Sequence, residues 1–189
     1  MSVASNVCRS FCMTTVTIIA IASLNHTFKH KPPFYGLQHL THWFLLLCVS
    51  ATVIRAHWWT ALVSTVGVIV FVLHWTLVCT GVREPPDREN ASWDLLCYFA
   101  LPFIAIAAAI SNGSYKAPLA RSITGLFTLI LVYSITLQLH DGRFPNHPAY
   151  PNLPLPSFVF SVIAFFLGSA WLWGMHALRP HAPFLSFKW

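Results

Sequence analysis

The amino-acid sequence predicts an all-α integral membrane bundle of about six transmembrane helices, and three observations predict it. Of its 189 residues, 56% are hydrophobic and 8% are charged, where a soluble domain carries about 25% charged residues. The eleven cations and five acids gather between apolar runs that are long enough to cross a hydrocarbon core. Helix breakers fall between the same runs: Pro32-Pro33, Pro85-Pro86, Asn112-Gly113 and the segment from Pro145 to Pro156. Residues 1–189 therefore make one multipass membrane domain, with no length left for a separate soluble one.

The spans follow in order. Residues 10–24 form a short first helix after Arg9, and Ala20-Ile21-Ala22 resembles a signal-peptidase site, so this run reads as a span or as a cleaved leader. The second, 38–54, opens on Gln38-His39-Leu40-Thr41-His42-Trp43. The third, 59–80, carries His74 on a face shared with Thr60, Ser64, Gly67 and Phe71. The fourth, 93–111, opens on Trp93-Asp94 and holds Cys97 and Pro102. The fifth, 120–139, runs Ser134, Gln138 and Asp141 along one stripe. In the sixth, 156–177, Ala164 and Gly168 have the small-xxx-small spacing of packed membrane helices.

Charge and cysteine usage narrow the function classes. The net charge is +6, but no nucleic-acid motif accompanies it, and anionic lipid headgroups are the partners it implies. Loop cations divide as Arg9, Arg55, Lys116, Arg121, Arg179 and Lys188 on one side against Lys29, Lys31, Arg83, Arg88 and Arg143 on the other. The positive-inside rule then leans toward cytoplasmic termini. Cys8, Cys12, Cys48, Cys79 and Cys97 form no CxxC pair, so neither a disulfide framework nor a zinc site is expected. Cys8 and Cys12 flank the start of the first run, where palmitoylation is feasible. Sequons stand at Asn25, Asn90 and Asn112, and on this orientation the third faces the cytoplasm.

Polar groups at membrane depth are costly and mark sites more often than in soluble cores. At about 1.5 Å rise per residue, Thr41 lies roughly 5 Å, Cys97 roughly 6 Å and His74 roughly 9 Å inside the same end of the bundle, with Gln138 near that level. The expectation is a shared polar layer. It serves lipid chemistry or it is purely structural. The loop His140-Asp141-Gly142-Arg143 offers a second acid–base pair, or a solvated re-entry segment. No HExxH, GxSxG or GxGxxG motif occurs.

The order of Tyr35-Gly36, Leu40-Thr41, His74-Trp75, Trp93, Leu101-Pro102-Phe103, Tyr115, Gly125, Gly142, Tyr150-Pro151 and Gly174 resembles the androgen-induced and androgen-dependent membrane protein family. Those are multipass threonine hydrolases of fatty acid esters of hydroxy fatty acids. The resemblance implies Thr41 as the nucleophile. It also implies a catalytic histidine five residues before the proline of the fourth helix, where this chain has Cys97. His74, or His42, would then serve as base, with Gln38, Gln138 or Tyr98 as oxyanion donors and no metal or organic cofactor. The expected function is a lipid-ester hydrolase or an inactive relative, and the alternative is a non-catalytic small transporter or lipid-binding scaffold.

Overall fold

The computed structural model describes residues 14, 17, 18, 21, 25, 39–54, 56–83, 91–141 and 156–177, and no strand occurs among them. These residues make five helices: α1 (Leu40–Val53), α2 (His57–Cys79), α3 (Ala91–Ser111), α4 (Leu119–Asp141) and α5 (Ser157–Ala177), with a 3-10 turn at Ser114–Lys116. Helices α2 to α5 are long and apolar enough to cross a membrane. Their length and composition are those of an integral membrane protein.

Against the expected count of about six spans, the described residues show these four and one shorter helix. α1 has 14 residues, so it rises about 21 Å, short of a hydrocarbon core of about 30 Å. It ends where Ile54 turns extended, and Trp59 Nε1 donates to Ser50 Oγ at 3.0 Å to close the α1–α2 corner. The proposed first span, 10–24, lies outside the described residues except Thr14, Thr17, Ile18 and Ile21, whose backbone is helical. Cys8, Cys12, Gln38, Asn90 and the loop 142–155 also lie outside them, as do the side chains of Gln138, His140 and Asp141.

α2 is the most deeply buried span and touches α1, α3, α4 and α5. Its small and hydroxylated face allows this. A Cβ at Gly67 would stand 3.1 Å from the Phe44 ring and 3.3 Å from Pro102 Cα, so α1, α2 and α3 meet there. α5 approaches through the predicted pair: Ala164 is buried, and a Cβ at Gly168 would lie 2.8 Å from both Ile69 and Leu126 side chains. Close backbone approach of this kind is how membrane helices gain dispersion energy without a hydrophobic drive. The outward faces are apolar too. Phe127, Leu131 and Ile135 on α4, and Phe158, Val162 and Phe166 on α5, are exposed at helical spacing, as lipid-facing side chains should be.

α3 is irregular for a chemical reason. Pro102 has no N–H, so the Tyr98 carbonyl four residues earlier loses its helical donor. Leu96–Ala100 widens into a π-turn, in which the Leu101 N–H bonds back to Leu96 O. The freed Tyr98 carbonyl accepts instead from Trp75 Nε1 on α2, at 3.2 Å. Widening by one residue puts adjacent Cys97 and Tyr98 both inside the bundle. Such turns are common at functional sites.

Candidate functional site

α2 ends at Cys79 and the chain reverses at Gly81, whose φ of +72° is a conformation that favours glycine. Arg83 N–H bonds back to Leu77 O at 3.0 Å, which aims the Arg83 side chain toward the helix it has just left. One guanidinium nitrogen, Nη1, stands 2.9 Å from His74 Nδ1, and the other, Nη2, donates to Asp94 Oδ2 at 3.1 Å. Tyr98 completes the group: its ring stacks on His74 with centroids 3.6 Å apart and 11° between planes, and the guanidinium lies 5.0 Å from its centroid.

This arrangement fixes the histidine tautomer. Guanidinium has only donors, so Nδ1 must present its lone pair to Arg83. The neutral ring then carries its proton on Nε2. His74 is 2% exposed, and Nε2 is buried without a hydrogen-bond partner. A buried donor left unmet costs about 1–3 kcal/mol, so an acceptor brought to Nε2 recovers that amount.

His74 lines a small cavity together with Thr41 and Leu40 of α1, Tyr98 of α3, Tyr133 of α4 and Phe160 of α5. Its volume is about 10 Å³, the space one water needs. The expected pair, Thr41 and His74, therefore faces one space from two helices. They are not hydrogen-bonded to each other, since Nδ1 is engaged by Arg83 and Nε2 has no partner.

The remaining expected residues fall differently. Cys97 is buried in the π-turn, but its neighbour Tyr98 lines the cavity in its place. His42 is half-buried and sets its ring edge-on to His39, with centroids 5.5 Å apart, away from the lining. Gln38, and the side chain of Gln138, lie outside the described residues. Among the described residues no group of three His, Cys, Asp or Glu side chains is placed to hold a metal ion.

Sequence reasoning missed Arg83 and Asp94, taking the first as a loop charge and the second as a helix opening. The available signal was Thr80-Gly81 directly after the third apolar run, a helix stop that turns the following residues back.

The class that these features define is a helical membrane bundle with a small polar cavity at one end of its central helix. Compared with known protein families, characterised proteins and solved structures, the chain matches none.

Proposed function

We propose that this chain is a six-span membrane protein that binds a lipid ester, holding the ester carbonyl oxygen on His74 Nε2–H beside the Thr41 hydroxyl. The observation that carries this reading is the shared cavity: Thr41 and His74, whose Nε2 is buried and without a partner, both line a space about the size of one oxygen atom. A carbonyl oxygen accepts without donating, which is what an Nε2–H requires. The apolar faces supply the medium in which acyl chains lie. The protein sits in an endomembrane, such as the endoplasmic reticulum, or in the plasma membrane, with both termini cytoplasmic.

A second reading has its own support, in the position of Thr41. In a threonine hydrolase, Thr41 Oγ1 attacks the carbonyl carbon and the alkoxy C–O bond breaks. The alcohol leaves with the proton that Thr41 gave up, and water then releases the acid from the acyl-threonine. That proton needs a base, and the lone pair of His74 is held by Arg83. Hydrolysis by this pair requires Arg83 to leave Nδ1 while keeping Asp94.

A fluorophosphonate probe applied to membranes separates the two readings. Labelling that Thr41→Ala abolishes establishes the hydrolase. Absence of labelling, with a diazirine-bearing lipid ester still cross-linking to the cavity, establishes the binder. In both cases His74→Phe reduces cross-linking about tenfold, the value of one lost hydrogen bond to a buried donor. Cross-linking indifferent to both Thr41→Val and His74→Phe overturns the site.

A further inference from the structure

A second, larger concavity lies elsewhere on the bundle. It runs between α1, α2 and α4, has a volume of about 560 Å³, and is walled by Trp43, Trp58, Leu62, Gly125 and Val132, among others. Arg121 stands at one end. The volume falls within the range of ordinary ligand sites, about 300–1,000 Å³. We propose that this groove is a binding site for one acyl chain of a membrane lipid with an anionic headgroup, the headgroup resting on Arg121.

Three observations converge on that occupant. The first is charge. Among the described residues of the lining, Arg121 is the only ionisable one and no carboxylate joins it. Its guanidinium lies 4.9 Å over the Trp58 ring, held at the rim with its donors available.

The second is length. From Arg121 to Val132 the groove follows α4 over twelve residues, a rise of about 16 Å. Half of a hydrocarbon core is about 15 Å. Arg121 is the third residue of its helix and Trp58 the second of α2, so the groove starts at a membrane face and stops near the midplane. That is the depth of one leaflet.

The third is the floor. Gly125 opens it: a Cβ there would meet Trp58 at 3.5 Å and Leu62 at 3.7 Å, ordinary contact distances. A side chain longer than alanine would enter the space instead. On the orientation proposed above this face is cytoplasmic, the leaflet in which anionic lipids concentrate. The groove does not depend on the His74 cavity, and either site stands if the other fails.

The test uses the full-length protein in nanodiscs with two photoreactive lipids of identical chains, a phosphatidic acid and a phosphatidylcholine, each with a diazirine on one acyl chain. Cross-linked peptides are mapped by mass spectrometry. The phosphatidic acid labels residues 119–132 about fivefold more than the phosphatidylcholine, the preference one interfacial cation confers. Arg121→Gln, at an exposed position, removes the preference while thermal stability is unchanged, and Arg121→Lys retains part of it. Gly125→Leu reduces labelling by both lipids, and Gly125→Ala does not.

Equal labelling by both lipids in the wild-type protein overturns the headgroup assignment. So does competition by glycerol phosphate, which has no chains. Labelling that Gly125→Leu leaves intact overturns the groove. Two further results overturn the lipid as occupant: a disulfide forming between Cys12 and Leu129→Cys, which would place the first apolar run there, and labelling that falls as protein density rises, which would place a second copy there.

Discussion

The two ends of α2 carry two polar clusters that solve the same problem differently. At the start, Thr60 Oγ1 and Ser114 Oγ lie 2.6 Å apart, and Asn112 Nδ2 donates to Thr60 Oγ1 at 2.9 Å. All three residues are buried and neutral. They tie the α3–α4 connection to the foot of α2, and they bury Asn112. At the other end, His74, Arg83, Asp94 and Tyr98 form a charged chain that leaves Nε2 unmet. A cluster that exists only to join helices has no reason to retain an unmet donor in an apolar interior. The first cluster is closed on itself. The second is open by one valence, at His74 Nε2.

The largest effect expected from breaking this comparison is at Arg83. Arg83→Leu leaves Asp94 without its cation and should cost about 2–3 kcal/mol, less than a fully buried pair because the two side chains are 25% and 16% exposed. Unfolding by sodium dodecyl sulfate from mild-detergent micelles measures it. The Arg83→Leu/Asp94→Leu double variant should be more stable than Arg83→Leu alone, since no charge is then stranded. A double variant worse than either single would mean that the pair is not coupled as the geometry requires.

Next in size is Thr60→Val, which preserves shape and removes the hydroxyl shared by Asn112 and Ser114. It should cost about 1–2 kcal/mol by the same titration. It should also leave cross-linking of a lipid ester at the His74 cavity unchanged. Loss of that cross-linking would dissolve the distinction between the closed cluster and the open one.

Much of this was legible in the sequence, and the failures share a cause. Helix positions followed from apolar run length, and the described helices begin and end within a few residues of the expected 38–54, 59–80, 93–111, 120–139 and 156–177. Thr41 and His74 could be brought to one level by rise per residue alone, because a bilayer aligns helices and makes depth a one-dimensional coordinate. What depth does not encode is azimuth. His42 and Cys97 lie near that level but do not line the cavity. The π-turn ahead of Pro102 shifts the register so that Tyr98 takes the lining position. The return of Arg83 depends on the backbone geometry of Gly81, which charge counting by loop ignores.

The smallest expected effect concerns the support under the charged cluster. Trp75 Nε1 takes the place of the donor that Pro102 lacks, and so holds the π-turn on which Tyr98 stacks against His74. Trp75→Phe keeps most of the packing, leaves the Tyr98 carbonyl unmet and should cost about 1 kcal/mol. With Pro102→Ala the N–H of residue 102 is restored and can serve that carbonyl, so adding Trp75→Phe should then cost less. The two changes should be coupled by about 0.5–1 kcal/mol in a double-mutant cycle. Closing the π-turn also rotates Tyr98 away from His74, so Pro102→Ala should weaken ester cross-linking even where it leaves stability unchanged. Strictly additive costs would show that Trp75 and Pro102 act separately, and the open cluster would then owe its geometry to Arg83 alone.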